Sequence, residues 1–346
     1  MTDLDRRVDT VPHAMTHEEP TGPAAEREIA LAVRSARREI DGRAIVDDVS
    51  FEVADGELFA LVGPSGCGKS SLLRLIAGLD PTAGGRVVLA GRDVTALAPE
   101  KRRIGLVFQD HALFPHRRID QNIAFGLGRM DRRDRARRVE ELLELVRLPG
   151  MAKRYPHELS GGEQQRIALA RALAPDPAVV LLDEPFASLD PSLRDDVRTD
   201  VVAALRDRGA AAVMVTHERD EALAIGDRVA VMSAGRILQI DRPEEVYERP
   251  VDRFVAEFLG EAAFLPTDDG RVAMVRPHDL SVVDGGPDVI VDRRYLGAVW
   301  RYDVRRADGT VVAVDVAAGP GDRSLRVGGQ VTVEVAADHP LHHLPA

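Results

Sequence analysis

The segment that most limits what this chain can become is Gly63-Pro64-Ser65-Gly66-Cys67-Gly68-Lys69-Ser70, a G-x-x-x-x-G-K-[ST] pattern set between two regular elements. Ahead of it, Leu58-Phe59-Ala60-Leu61-Val62 is a short apolar run of buried-strand type. Behind it, Ser71-Leu72-Leu73-Arg74-Leu75-Ile76-Ala77 continues as a helix that Gly78 closes. A strand, a glycine-rich turn and a helix N-terminus in that order make a phosphate cradle. Glycines at 63, 66 and 68 let the backbone turn tightly, so successive N–H groups and the positive end of the helix dipole surround an anion. In this reading Lys69 reaches the β- and γ-phosphates of a nucleoside triphosphate, the Ser70 hydroxyl ligates Mg²⁺, and Ser71 is counted with the lining. Cys67 is the chain's single cysteine, and a lone thiol closes no internal disulfide. It is read as a small side chain tolerated beside working backbone.

The rest of the composition bounds the setting. A length of 346 residues, 45% of them hydrophobic, supports a sizeable core and two domains rather than one. No apolar run approaches the roughly 20 residues of a membrane span, and the N-terminus carries no signal-like segment, so a cytoplasmic location is expected. A formal net charge of -11 argues against nucleic acid or anionic lipid as the main partner. The basic tract Arg132 to Arg138 opens a helical pattern with Val139, Leu142, Leu143 and Val146 on one face, which reads as a solvated helix.

Residues 1–27 are polar, rich in acids, Pro and Thr, and aperiodic; a disordered leader is expected there. Ile29 to Val33 and Val49 to Val53 read as strands of a half-buried antiparallel sheet preceding the phosphate-loop strand, with Arg86 to Leu89 a further strand. The core is thus expected to begin as mixed sheet. Past the strand run Ile104 to Gln109 the sequence turns helical to about Leu159, an insertion at roughly 110–160. Val179-Val180-Leu181-Leu182 is a buried parallel strand delivering Asp183 and Glu184 at its C-terminal end, where open α/β sheets place ligands. Asp190-Pro191 starts a helix, and Ala212 to Thr216 is a strand ending at His217. Further strands (Arg228 to Met232, Arg236 to Ile240) and helices (Glu244 to Arg249, Arg253 to Leu259) complete this part. After about Ala263 only short β-type runs separated by Gly and Asp clusters remain, which suggests a small all-β appendage over 263–346.

Chemistry-bearing residues recur at the ends of these strands. Asp183 is placed to hold Mg²⁺, directly or through water, and Glu184 to polarise an attacking water. Leu159-Ser160-Gly161-Gly162-Glu163-Gln164 sets a Ser and two glycines ahead of a helix, whose backbone donors and dipole suit a second phosphate surface. Gln109 and His217 each follow an apolar strand, where a polar side chain can reach a γ-phosphate, water or metal, although a lone His at a strand end more often has a structural role.

In this order, residues 29 to 260 resemble the ATP-binding subunits of ABC transporters. The resemblance implies an α/β fold: a P-loop NTPase core of RecA-like type with an antiparallel β subdomain and a helical insertion, over 28–260. Gly63 to Ser70 is similar to the Walker A loop and Gln109 to the Q-loop glutamine, which also approaches Mg²⁺. Ser160, Gly161, Gly162 and Glu163 belong to a segment similar to the ABC signature. Val179 to Asp183 with Glu184 resembles Walker B plus catalytic base, Ser188-Leu189-Asp190 the D-loop, and His217 the switch histidine. The implied activity is Mg²⁺-dependent ATP hydrolysis by two copies placed head to tail, with Lys69, Glu184, Gln109 and His217 as catalytic residues. Implied partners are a second ATP-binding subunit, two transmembrane permease subunits and an extracytoplasmic solute-binding protein, with this chain peripheral on the cytoplasmic face of the inner membrane.

Two positions depart from the family pattern: Ile40 stands where an adenine-stacking aromatic is usual, and Glu163 replaces the commonest glutamine. The tail resembles the regulatory (TOBE/OB-like) domain of bacterial importers, and Val275-Arg276-Pro277-His278 is similar to an Arg-Pro-Glu element found there. Resemblance in Asp110 to His116 and around Phe258 to Pro266 points to ferric iron first, with polyamine, sulfate, quaternary amine and sugar as alternatives. A rival of another class is a soluble, non-transport ABC ATPase. Such proteins carry a coiled-coil insertion or tandem ATPase domains, neither of which is visible here.

Overall fold

The computed structural model describes residues 28–128, 130–267, 271–319, 325–336 and 342–344. The expected leader, residues 1–27, lies outside the described residues. Two sheets build the first part of the molecule. One is antiparallel, in the order β2-β1-β4-β5, made of β1 (Ile29–Ile40), β2 (Arg43–Ala54), β4 (Gly84–Leu89) and β5 (Arg92–Asp93). The other has six strands ordered β10-β9-β3-β8-β7-β6: β3 (Leu58–Val62), β6 (Ile104–Val107), β7 (Val179–Asp183), β8 (Ala212–Thr216), β9 (Arg228–Ser233) and β10 (Arg236–Asp241). All its pairs are parallel except β9 with β10. The antiparallel subdomain expected from the sequence is thus a sheet of its own beside the mainly parallel one.

Alternation along each central strand explains the layering. Leu58, Ala60 and Val62 of β3 enter one apolar cluster, while Phe59 and Leu61 enter the other. In β7 and β8 the same alternation sends Val180, Leu182, Ala212 and Met214 one way and Val179, Leu181, Val213 and Val215 the other. Strands buried on both faces need apolar residues at every position, which is why these runs look continuous in the sequence. The first cluster packs against α3 (Arg132–Leu145), α4 (Gly161–Leu173) and α5 (Pro191–Arg208). The second packs against α1 (Lys69–Ala77) and the antiparallel sheet, joined by a Phe51–Phe59 stack with ring centroids 4.8 Å apart. Such a stack adds about 0.5–1.5 kcal/mol beyond the area it buries.

Helix α1 ends at Gly78, whose φ of 77° is left-handed and whose N–H caps the Leu75 carbonyl at 3.0 Å. The buried Arg102 guanidinium donates to the carbonyls of Leu75 and Ile76, so the helix carrying Lys69 is anchored at its far end. In the helical insertion, α2 (Ile119–Ile123) begins only after an irregular stretch following β6. Next come α6 (Arg219–Ile225), α7 (Pro243–Glu248) and α8 (Arg253–Leu259).

The remaining strands form a separate β body around Tyr302, Val304, Val314 and Val331. It comprises β11 (Ala263–Pro266), β12 (Val272–Val275), β13 (Leu280–Tyr295), β14 (Val299–Arg305), β15 (Val311–Ala317), β16 (Gln330–Val335) and β17 (His342–His343), ordered β11-β12-β17 and β15-β14-β13-β16. It is fastened to the first part by Arg276, 2% exposed, whose guanidinium donates to the carbonyls of Tyr247, Ala256 and Glu261 and lies 4.1 Å from the Tyr247 ring centre. Among the described residues no helix is long and apolar enough to cross a membrane.

Candidate active site

The phosphate loop connects β3 to α1 with its backbone pressed against neighbours. A Cβ on Gly63 would lie 2.1 Å from the Met232 carbonyl oxygen, and one on Gly68, whose φ is +109°, would lie 2.4 Å from that of Ile45. Both positions exclude any side chain. Lys69, 4% exposed, donates to the carbonyls of Gly63 at 2.7 Å and Pro64 at 3.1 Å. Its charge thus faces the inside of the loop it closes. Pro64 is partly covered, Ser65 and Gly66 are exposed, and Cys67 and Gly68 are buried. Burial pushes the Cys67 thiol above its ordinary pKa, opposed by the positive charge of Lys69, so the thiol stays protonated.

Parallel pairing of β7 with β8 sets Asp183 beside Val215, so both strands end at the same level. Asp183 Oδ1 accepts a hydrogen bond from Ser70 Oγ at 2.8 Å, which joins the phosphate loop to the Walker-B-like strand. Burial raises the Asp183 carboxyl above its usual range; the Ser70 hydrogen bond lowers it and the charge of Glu184 raises it further. A hydroxyl and a carboxylate oxygen in contact, in a pocket that disfavours bare negative charge, suit a hard divalent cation. Among the described residues no group of three or more His, Cys, Asp or Glu side chains forms a cage, so any cation here must complete its shell with other donors.

Glu184 turns the chain at the end of β7 with φ +45°, an uncommon conformation for a residue with a side chain, and its N–H donates to the Val215 carbonyl at 2.9 Å. That turn points its carboxylate toward β8, and Glu184 Oε2 lies 3.2 Å from His217 Nδ1. The other ring nitrogen of His217 is 3.6 Å from Glu218 Oε1. Glu218 was not among the residues singled out from the sequence; its adjacency to His217 was the available signal. Gln109, exposed beyond β6, has its carbonyl 3.5 Å from the Ser188 hydroxyl, and Asp190 caps α5 by accepting from the N–H of Ser192. Ile40 sits at the tip of the β1–β2 hairpin, 42% exposed, on the strand pair that abuts Gly68 through Ile45.

The signature-like segment is not brought to this loop. Ser160 is the N-cap of α4, and Ser160 with Glu163 forms a capping box: Glu163 Oε2 accepts from the Ser160 N–H at 2.7 Å and from its hydroxyl at 2.9 Å. These hydrogen bonds hold the Glu163 carboxyl below its usual pKa, so it is ionised and bound back onto the helix end. Ser160 and Gly161 are exposed, whereas Gly162 is buried against Val197 of α5. A cleft of about 440 Å³ opens beside Ser160 and Gly162, with Arg147 and Arg166 both held by Asp200 at 2.6 Å.

A phosphate loop, a strand-end carboxylate pair, a switch-like histidine and an exposed glycine-rich helix cap define an ATP-binding cassette. Residues 46–187 match the ABC transporter family model and residues 273–341 the TOBE domain model. The chain is 45% identical to the sulfate/thiosulfate import ATP-binding protein CysA of Nocardia farcinica, over 88% of this chain and 87% of that one. It is 49% identical to CysA 2 of Chromobacterium violaceum, over 75% and 71%, and 50% identical to the spermidine/putrescine import ATP-binding protein PotA of Pseudomonas fluorescens, over 69% and 68%. A dimeric structure of the ATP-binding cassette MJ0796 bound to ADP and Pi superposes with TM-score 0.55 at 28% identity, over 62% of this chain and 98% of that one. The chain belongs to the ABC transporter ATP-binding proteins, an ATPase family, and couples that cassette to a C-terminal TOBE domain.

Proposed function

We propose that this chain is the energy-supplying subunit of an importer, taking up sulfate or thiosulfate, or a polyamine. The import proteins named above support those solutes over the ferric iron expected first from the sequence. The observation that carries the catalytic assignment is the pair of contacts Ser70–Asp183 and Glu184–His217, which gather four residues from three elements at one end of the parallel sheet.

ATP supplies the transferable phosphoryl group, and Ser70, Asp183 and Gln109 would hold the Mg²⁺ that neutralises it. Lys69 exchanges its two loop carbonyls for β- and γ-phosphate oxygens, while backbone N–H groups of residues 65 to 71 cradle the phosphates. Glu184 accepts a proton from the attacking water, and His217, held beside that carboxylate, keeps it oriented toward the γ-phosphate. Ile40 packs on the adenine as an aliphatic surface. Ser160 and Gly161 are exposed at the cap of α4, with Gly162 and Glu163 next in the same turn, so the reading assigns the four to the site of a second copy placed head to tail. The cassette is taken as 28–260 and the regulatory domain as 263–346, on the cytoplasmic face of the membrane.

Two permease subunits and an external solute-binding protein complete the assembly. A groove of about 660 Å³ on the helical insertion, lined by Arg117, Arg132, Arg135 and Lys153 together with Asp120 and Glu140, beside Phe125, 58% exposed, offers such a permease a charged, partly apolar seat. The test is uptake in cells lacking the gene. Loss of sulfate or of putrescine accumulation, restored by wild type and not by Lys69→Ala, is the expected result; unchanged uptake of both solutes would refute the assignment.

A further inference from the structure

Helix α5 carries, one turn past its Asp190 cap, a residue that none of the site assignments uses. Arg194 hydrogen-bonds through its N–H to the Asp190 carbonyl at 3.1 Å, so its backbone is fixed to the D-loop-like turn. Its side chain, 27% exposed, reaches across to the segment after β8: Arg194 Nη1 lies 3.8 Å from Glu218 Oε1. That same oxygen is the one 3.6 Å from His217 Nε2. The imidazole is thereby set between two carboxylates, Glu184 on one nitrogen and Glu218 on the other, and Arg194 faces the second.

A second carboxylate meets the same arginine. Glu221 is 5% exposed, and the positive charges of Arg194 and Arg198 act on it. Its Oε2 accepts from the Thr216 hydroxyl at 2.7 Å, and that hydroxyl in turn accepts from the Glu218 N–H at 3.0 Å. Thr216 and Glu218 flank His217, so Glu221 holds the histidine's own backbone. Yet Glu221 Oε1 and Arg194 Nε are both buried without a hydrogen-bond partner, a complementary acceptor and donor on facing elements. Unpaired buried groups of this kind each cost free energy that pairing the two would relieve.

We infer that Arg194 is a positioning residue: it transmits the placement of the Asp190 turn on α5 to His217, through Glu218 and Glu221. A movement of α5 toward α6 pairs Arg194 with Glu221 and draws Glu218 with it, which moves a charged group on the far side of the imidazole ring. Movement away releases both. The histidine then stands in its catalytic orientation only when the turn at Asp190 is in place. The inference rests on the role assigned to His217 above.

The experiment is ATP hydrolysis by the purified full-length chain in a two-by-two set: wild type, Arg194→Ala, His217→Ala and the double variant, with thermal melting recorded for each. The expected result is a fall of about tenfold in kcat for Arg194→Ala with KM for ATP changed less than twofold, and a fall of less than twofold when Arg194→Ala is added to His217→Ala. Arg194→Lys, which keeps the charge but loses the fork, should restore part of the rate. A full multiplicative loss in the double variant, or a loss in KM alone, overturns the inference while leaving His217 in its role. A wild-type rate for His217→Ala overturns the histidine assignment and this inference with it. If Arg194→Ala melts early, Glu218→Gln replaces it in the same cycle with the same two readings.

Discussion

The phosphate loop and the signature-like helix cap of this chain are built in opposite ways. Around Lys69 the loop is closed upon itself: the lysine is buried on two of its own loop carbonyls, Ser70 is tied to Asp183, and two glycines are pressed onto neighbouring carbonyls. Around Ser160 the helix cap is exposed, and the hydrogen bonds of the Ser160 and Glu163 side chains run to each other. The first surface is closed by contacts within its own chain. The second is a helix N-terminus whose positive end meets solvent, and a helix end satisfied solely by its own capping box can exchange that box for an outside anion at little cost. On the reading proposed above, the chain contributes these as halves of two different sites rather than as one whole site.

The strongest loss is expected from breaking the first half. Lys69→Ala removes the cation from the loop, and hydrolysis should fall below about a tenth of the wild-type rate, since neutralising charge at the phosphates is a large part of what lowers the barrier to phosphoryl transfer. A steady-state phosphate-release assay reads this directly. Retention of most of the activity would mean that the buried lysine is a structural prop.

A smaller effect separates two glycines of the second half. A Cβ on Gly162 would fall 2.7 Å from Val197 Cγ2, whereas one on Gly161 would meet Leu189 Cδ2 at an ordinary 3.5 Å. Gly162→Ala should therefore destabilise the fold by about 1–3 kcal/mol through overpacking of α4 on α5. Gly161→Ala should melt like wild type and act only on nucleotide-dependent pairing. Equal melting temperatures for both would show that the α4–α5 contact is looser than these distances imply.

The weakest effect concerns Glu163. Its carboxyl is held below the ordinary range by the Ser160 N–H and hydroxyl, so the ionised form adds stability above the unfolded-chain pKa and loses it as pH falls through the lowered folded value. Glu163→Gln should be less stable than wild type by roughly half a kcal/mol at neutral pH, solvent screening keeping the difference small, and the gap should close in acid. Denaturant titrations at neutral and acidic pH read it. A gap that widens as pH falls would place the carboxylate elsewhere.

The same division between local and assembled features governs what could be read from the sequence. The phosphate loop was legible because strand, turn and helix are contiguous, and the capped helix at Ser160 because a Ser followed three residues later by Glu is a local pattern. What escaped was whatever depends on another element's position. The second half of β1 was missed because Arg34, Arg37 and Glu39 face solvent and interrupt the apolar run. In the long strand β13, Gly285 and Gly286 resemble a break in the sequence, while the structure absorbs them in a register shift between Asp284 and Asp288. At the site, Asp183 and Glu184 were readable from the strand end. The bracketing of His217 by Glu184 and Glu218, and the approach of Arg194, follow from β7 and α5 lying beside β8 and could not be read from spacing.

Whether the exposed cap of one copy completes the buried loop of another is decided by the dimerisation of a hydrolysis-blocked variant. Glu184→Gln keeps size and hydrogen bonding but removes the base, so ATP should persist as an interfacial ligand and shift monomer toward dimer by mass action. Light scattering of purified Glu184→Gln is expected to show a dimer with ATP and a monomer with ADP, and the Glu184→Gln, Ser160→Arg double variant is expected to remain monomeric with either nucleotide. A double variant that still dimerises with ATP would contradict the head-to-tail arrangement, because the helix cap at Ser160 would then take no part in closing the partner's site.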